Sequence, residues 1–593
     1  MNAQPQTLSG QLIDLLLGYG VDTVFGIAGV HTVELYRGLA ERRMRHVTAR
    51  HEQSLGFMAD GYARVTGRPG VCFVITGPGL TNILTAMAQA YADSVPMLVV
   101  SGVNPAGRMD SGDGYLHELP HQQAMTTHVC AFSHTIQHPA ELPQVLARAF
   151  AVFDAARPRP VHIEIPLHLM AAPAESLQRK APARLQSGPA AHSAICAAAS
   201  ALASAQQPLM LVGGGAVHAG ADVAALAERL DAPVVMTINA RGLLAPDHPL
   251  GVSASPSFAA VRSLVAQSDV VLAVGTELGP TDYNSYEREP FQLPGRLMRI
   301  EIDAQHMVRN HPPDIALLGD AKASVSALSQ ELGSANPQSM QAVPPSARLH
   351  PEPAPLTRGA QRAHATRVAG YQELAPSMRA DLDFLHALRD ALPNARFVGD
   401  STRLVYAGNM GFAALQARTW FNASVGFGAL GYGMPAAIGA ALGEPERCVV
   451  CLAGDGGFQF TLAEMGTAVE VGAKLTVVLL NNQGYGEIKS AMQAAGVTPL
   501  GVDLHTPDFV AAALAYGWQA RRFIWPTHLG AQTATAHTTP ASAPADALND
   551  ATLPPQASPL HQLAGEIAMA VRQASAPLLI ELMASTSAPT FQP

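Results

Sequence analysis

No apolar stretch in this chain approaches the ~20 residues that a membrane-crossing helix needs, and the reading excludes a membrane-spanning protein. Long runs of lysine and arginine are also missing. With a net charge of -9 at neutral pH, that argues against nucleic acid as a main partner. The opening MNAQPQTLSG lacks the basic and apolar regions of a signal peptide, so the expected location is cytoplasmic. Cysteine is scarce: five residues, odd in number and scattered, do not build a disulfide framework. Cys448 and Cys451 form a C-x-x-C, but in a strand side chains three apart point to opposite faces. The pair reads as buried-strand cysteines rather than zinc ligands or a redox couple.

What the chain does have is length and alternation. Its 593 residues are about four times the ~150-residue prior for one domain, so three domains plus linkers are expected. Helical, extended and glycine-turn segments alternate throughout, the pattern of α/β folds with doubly wound parallel sheets. Composition divides the chain into residues 1–175, a central domain 191–333, a Pro- and Ala-rich linker 334–377, and a third domain 378–593. A low-complexity insertion interrupts the last of these at about 526–558.

The most informative stretch is CVVCLAGDGGFQFTLAEMGTAVEVGAKLTVVLLNNQGYGEIKS, residues 448–490. An apolar run, 448–453, stops at Gly454-Asp455-Gly456-Gly457. A helix is expected from Phe458, with Phe460, Leu462, Met465, Ala468 and Val469 on one face. A second buried strand, 475–480, ends at Asn481-Asn482. Right-handed crossover makes the two strands parallel, so Asp455 and Asn482 emerge at the same carboxyl edge. A carboxylate, an amide oxygen and a backbone carbonyl, that of Gly484, form a hard oxygen set suited to Mg2+. The glycines at 454, 456 and 457 let backbone N–H groups approach phosphate oxygens. A Gly-Asp-Gly alone is most often only a turn, and it is the paired asparagine that raises it above one.

Other candidates read less clearly from pattern. Glu52 stands between a strand and a helix, as either a helix-start charge favoured by the dipole or a buried acid with a raised pKa. Ser401 and Thr402 sit at a strand end, where hydroxyls either donate to a diphosphate or cap a turn. Leu430, within Gly426-Phe427-Gly428-Ala429-Leu430-Gly431, reads by itself as core. His117, His121 and His128 lie in one loop region, and a lone histidine is more often a surface or satisfied core residue, so none is taken as catalytic.

The Gly-Asp-Gly to Asn-Asn arrangement resembles the diphosphate and Mg2+ motif of thiamine diphosphate enzymes. The run RHEQSLGFMADGYARVTGRPGVCFVITGPGLTN is similar to the pyrimidine-binding domain of the acetolactate synthase and 2-oxo acid decarboxylase group. The likeness covers most of the chain and makes the three domains pyrimidine-binding, central and diphosphate-binding. It implies thiamine diphosphate and Mg2+ as cofactors, with Asp455, Asn482 and the Gly484 carbonyl as metal ligands. It also implies that Glu52 contacts the aminopyrimidine N1′, that Leu430 lies under the bent cofactor, and that the Gly428 carbonyl accepts from the 4′-amino group. In acetolactate synthases the central domain holds FAD. Here FAD is doubtful, and a vestigial or structural domain is an equal alternative. In the family, Glu52 and Asp455 counterparts act on one cofactor from different subunits, which implies a homodimer or homotetramer.

Acetolactate synthases carry a Phe-Gln segment in the first domain and a Trp after the Asn-Asn region to hold a second 2-oxo acid. Here those places read LHELPHQQAM and GEIKSAMQAA, with neither feature. Release of an aldehyde is then the simpler outcome. Segments such as FGIAGVHTVELYRGL and GTELGPTDYNSY resemble bacterial 5-guanidino-2-oxopentanoate (2-ketoarginine) decarboxylases of arginine breakdown. A guanidinium calls for a carboxylate fork, and the candidate acids are Glu487, Glu118 and Asp113, with Glu487 alternatively a proton relay or a solvated helix-start acid. The rival readings are an acetolactate synthase-type carboligase and a non-catalytic scaffold homologue.

Overall fold

The computed structural model describes residues 6–40, 42–174, 180–284, 289–335, 355–526 and 558–583. Their strands form three six-stranded sheets in which every pairing is parallel. The first contains β1 (Thr23–Gly26), β2 (Arg45–Thr48), β3 (Gly70–Val74), β4 (Met97–Val103), β5 (Phe132–Thr135) and β6 (Val161–Pro166), in the order β2-β1-β3-β4-β6-β5. The central sheet contains β7 (Pro208–Val212), β8 (Val234–Met236), β9 (Gly251–Val252), β10 (Val270–Val274), β11 (Arg296–Glu301) and β12 (Ile315–Leu318), in the order β12-β11-β10-β7-β8-β9. The third contains β13 (Arg396–Gly399), β14 (Trp420–Asn422), β15 (Val449–Gly454), β16 (Leu475–Asn481), β17 (Gln519–Ile524) and β18 (Leu578–Met583), in the order β14-β13-β15-β16-β18-β17. Most inner strands are buried along their whole length, as near-continuous Val/Leu/Ile runs covered by helices on both faces must be.

The first and third sheets share one strand order and pack on each other through two helices of the same chain, Glu52–Thr66 and Gly433–Gly443. The second of these is buried from Gly433 to Leu442, as a helix apolar on all sides should be. Glycines set the approach. A Cβ on Gly61 would stand 2.0 Å from Ala436 O, and one on Gly439 would stand 1.9 Å from Met58 O. A buried polar cluster stitches the same seam. Arg64 reaches Asp60 (2.7 Å) and Asp93 (2.5 Å), and Tyr432 of the third domain donates to Asp60 (2.5 Å).

Three expectations need correction. The stretch 334–377 is not a linker throughout, because Arg358–Glu373 is a helix. Thr357 caps its start, Asp231 accepts from Gly359 N at 2.7 Å, and Glu373 caps the neighbouring helix through Ala259 N and Ala260 N. Its polar composition hid a helix that lies along the edge of the central domain. The expected helix after Gly457 is broken into Asp455–Gln459 and Glu464–Glu470, so its apolar residues do not share one buried face. Met465 and Ala468 are therefore buried while Phe460 and Val469 are exposed. Cys448 precedes β15 rather than lying in it, so of this pair Cys451 alone is a buried strand cysteine. The Ala/Thr/Pro-rich stretch lies, over 527–557, outside the described residues.

Candidate active site

In an order such as β14-β13-β15, connections leave in opposite directions from β13 and β15, opening a crevice at their carboxyl ends where ligands bind. The third-sheet candidates gather there. Asp455 follows β15 and is 1% exposed. Its carboxylate accepts from Gly484 N at 2.9 Å and from Asn482 N at 3.5 Å, while burial pushes its pKa up. The terminal amide of Asn482 completes the cluster, 2.9 Å from Asp455 Oδ1 and 2.8 Å from Gly484 O. Placed with its oxygen at that point, the amide sets three oxygens against one another. Such a grouping is stable either with a cation among them or with the amide turned to donate N–H. The donor set is hard and all-oxygen, so the residues fit Mg2+.

Across the crevice, β13 ends in Asp400-Ser401-Thr402. Ser401 Oγ pairs with Ser424 Oγ at 2.8 Å, and Thr402 precedes the helix Arg403–Gly411 without capping it through its side chain. Asp400 is the organiser that sequence reading missed. Buried, with its pKa raised to about 6 by desolvation, it accepts from Ser401 N (2.8 Å), Gly431 N (3.2 Å) and Gly433 N (3.1 Å). Gln89, from the first domain, accepts from Ala429 N at 3.1 Å. The amides on both sides of Leu430 are thus anchored, one by Asp400 and one by Gln89. Gly428 has φ +79°, a left-handed backbone that glycine adopts without strain. Asp400 carried a faint signal as the acid beside Ser401 at a strand end; Gln89, inside an amphipathic helix, carried none.

Glu52 opens the helix Glu52–Thr66 beyond β2, capped by His51. Asn82 Nδ2 donates to its Oε2 at 2.9 Å. Among the described residues its Oε1 has no hydrogen-bond partner, so one oxygen is fixed and the other remains available as an acceptor. Beyond this helix start stands Glu464 of the third domain, which accepts from Arg50 N (2.9 Å) and His51 N (3.2 Å). No hydrogen bond joins Glu52 to the Asp455 group among the described residues.

Three family models match the chain: thiamine pyrophosphate enzyme, N-terminal TPP binding domain, over residues 6–125; the central domain over 195–328; and the C-terminal TPP binding domain over 399–543. The probable 2-ketoarginine decarboxylase AruI of Pseudomonas aeruginosa is 46% identical over 526 residues, 88% of this chain and 90% of that protein. The chain belongs to the thiamine pyrophosphate enzyme family. Acetolactate synthases are more distant. The large subunit of Parasynechococcus marenigrum is 31% identical over 86% of this chain and 83% of its own. The isozyme 1 large subunit of Escherichia coli is 30% identical over 80% and 81%.

As a member of this family, the chain has thiamine diphosphate as its cofactor, and the two groups described above fit the two ends of it: an open carboxylate oxygen for a ring nitrogen, and a hard-oxygen cluster beside glycine turns for a metal-bound diphosphate. The central domain is less committed. A cavity of about 690 Å3 lies against the Gly213–Gly215 turn, Gly275, Arg157 and Arg418. The glycines there are explained by chain packing, since a Cβ on Gly213 would stand 2.4 Å from Gly275 O. Arg157 is already paired with Glu277. Those residues make no particular provision for a flavin. No helix among the described residues is long and apolar enough to cross a membrane.

The substrate-side candidates separate. Glu118 is spent on its own loop, accepting from Gly112 N (2.8 Å), Gly114 N (2.9 Å), Tyr115 N (3.1 Å) and Ser111 Oγ (3.0 Å). Asp113 is exposed in that loop, His128 is exposed, and His121 pairs with Asp110 at 3.5 Å. Glu487 opens the helix Gly486–Ala494, none of whose residues is buried, shortly after the Asn482–Gly484 turn. Its charge is felt by Asp381, whose pKa burial raises to about 6.

Proposed function

We propose that this chain is a thiamine diphosphate- and Mg2+-dependent non-oxidative decarboxylase of 2-oxo acids, with 5-guanidino-2-oxopentanoate as substrate. The products are CO2 and 4-guanidinobutanal. The observation that carries this reading is the convergence of Asp455, Asn482 and Gly484 oxygens at the mouth of the third sheet, in a chain 46% identical to a protein named as a probable 2-ketoarginine decarboxylase.

The reaction breaks the C1–C2 bond of the 2-oxo acid, leaves its electron pair at C2, and adds one proton there. Bound thiamine diphosphate supplies the electron sink that no side chain offers. The chain does the rest. Asp455, Asn482 and the Gly484 carbonyl hold Mg2+; Gly454, Gly456, Gly457, Ser401 and Thr402 offer donors to the diphosphate. Glu52, steadied by Asn82, would hold a proton at the pyrimidine N1′ of the bound cofactor. Gly428 would offer its carbonyl to the 4′-amino group of the bound cofactor, and Leu430, its flanking amides held by Asp400 and Gln89, would lie beneath the cofactor. Glu487 recognises the guanidinium with its carboxylate.

The site forms between two chains, Glu52 of one facing Asp455 of the other, so the minimal unit is a homodimer, with a tetramer as a pair of such dimers. Supporting this, large apolar side chains at the crevice edges are exposed in the single chain: Val30, Leu116, Phe427, Phe460 and Ile488.

Incubating the holoenzyme with a panel of 2-oxo acids and following CO2 and aldehyde tests the reading. The expected outcome is equimolar CO2 and 4-guanidinobutanal from 2-ketoarginine. Formation of acetolactate from pyruvate would establish a carboligase instead, and failure to bind thiamine diphosphate with Mg2+ would leave only a scaffold. The Glu487→Gln protein should show a raised KM for 2-ketoarginine; unchanged kcat and KM would remove Glu487 from the site.

A further inference from the structure

The central domain, apart from the two sheets that carry Glu52 and Asp455, holds another group of side chains able to bind a metal. The helix His192–Ser204, which leads into β7, and the helix Ala321–Ala335, which follows β12, lie side by side on the central sheet. Ile195, Ala199 and Leu202 of the one share a buried core with Val325, Leu328 and Leu332 of the other. Just before the first helix, Ala190 N donates to Ser324 Oγ at 3.0 Å, and further along both helices Cys196 meets Glu331. The two helices therefore run in the same direction. His192 and Cys196 stand one turn apart on one face. His192 Nε2 is 3.5 Å from Cys196 Sγ, and with a carboxylate oxygen of Glu331 the three ligand atoms all lie within 4.8 Å of one another. A tetrahedral zinc ion, with bonds of about 2.3 Å to sulfur and about 2.0–2.1 Å to nitrogen, sets those two ligand atoms about 3.5 Å apart. The thiol and the imidazole already stand at that spacing. Helical periodicity brings such a pair together by itself, but it does not bring an acid from another helix to the same two atoms.

We propose that His192, Cys196 and Glu331 form a Zn2+ site that joins these two helices, with a water molecule as fourth ligand. The donor set selects the ion. One thiolate and one imidazole suit Zn2+, whereas Mg2+ and Ca2+ take oxygen ligands. In the metal-free chain Cys196 donates its S–H to Glu331, and desolvation first and then that carboxylate hold the thiol above its ordinary range. Binding breaks the S–H bond, forms an S–Zn bond and sends the proton to solvent, so the ion takes the place of a proton shared between sulfur and carboxylate. The ligands come from the two ends of the domain's chain, residues 192–196 and 331. The ion therefore closes a loop that contains nearly the whole central sheet, and its role is to hold that domain together rather than to take part in turnover.

The test uses the untagged full chain saturated with thiamine diphosphate and Mg2+, so that the Asp455 group is already occupied. Equilibrium dialysis against Zn2+ followed by metal analysis should find one Zn2+ per chain. Cys196→Ser and Glu331→Gln should each weaken that binding by about tenfold or more, since even a residue that only supports a metal ligand is worth about that much. Cys448→Ser, which removes the other half-buried thiol, should leave it unchanged. Co2+ in place of Zn2+ should give a thiolate-to-cobalt charge-transfer band, read on the unaltered chain and therefore decisive even where a variant fails to fold. Zn2+ should also raise the thermal transition of the unaltered protein and leave that of Cys196→Ser where it was. No retained Zn2+, binding that survives Cys196→Ser, or a cobalt spectrum without the thiolate band overturns the site. Loss of turnover in Cys196→Ser overturns the structural role.

Discussion

The first and third sheets have the same strand order, and each opens its crevice between its first and third strands, yet the turns after those third strands differ. After β15 the chain reads Gly454-Asp455-Gly456-Gly457, and the buried carboxylate faces other oxygens. After β3 it reads Gly77-Pro78-Gly79, without charge, and the acid comes instead from the end of β2 as Glu52, held by Asn82. One scaffold therefore yields two kinds of crevice edge. Where the turn carries charge, its carboxylate faces the Asn482 amide and the Gly484 carbonyl; where it carries only glycine and proline, the open acceptor nearby is Glu52 Oε1.

If that contrast is right, the two acids fail differently. Asp455→Ala should abolish Mg2+-dependent retention of thiamine diphosphate, and calorimetric titration would detect no binding at cofactor concentrations that saturate the unaltered protein. Glu52→Gln should still bind the cofactor but lose about 10²–10⁴-fold in kcat; an equal loss of binding in both would erase the distinction. A mixing experiment sharpens it further. Co-refolded Glu52→Gln and Asp455→Ala chains should recover about a quarter of full activity, because half the dimers of a random mixture are hybrid and each hybrid has one intact site. No recovery would mean that both acids act within one chain.

The seam between the two sheets gives smaller effects. Gly439→Val places atoms where Met58 O already stands and should cost about 1–3 kcal/mol by overpacking, read as a lowered thermal transition. Gln89→Ala removes the acceptor for Ala429 N, leaving that buried amide unpaired at a cost of about 1–3 kcal/mol, while Asp93 keeps Arg64. A reduced kcat alongside would show that the Leu430 segment needs this support.

The alternation of β-branched runs with glycine turns was enough to read three parallel sheets, because inner parallel strands have no polar face to disguise them. Asp455 and Asn482 were legible for a related reason: strand, turn, helix and strand are contiguous, so local spacing alone brings the ends together. The helix Arg358–Glu373 was missed because its capping partner Asp231 and the backbone it caps at Ala259 are distant in sequence. The broken helix after Gly457 was missed because a change of phase between 459 and 464 leaves the apolar spacing intact on paper.

The local pattern of residues determined the sheet class and the shared carboxyl edge of Asp455 and Asn482, since each depends on neighbours within one strand–helix–strand unit, whereas the role expected of Glu52 came from the family resemblance. Tertiary structure alone decided that Asp400 and Gln89 hold Leu430 from two sides and that the His31 and His117 rings meet edge to face. Those pairings join segments tens to hundreds of residues apart, and only packing of one sheet edge against another brings such atoms within hydrogen-bond or ring-contact distance.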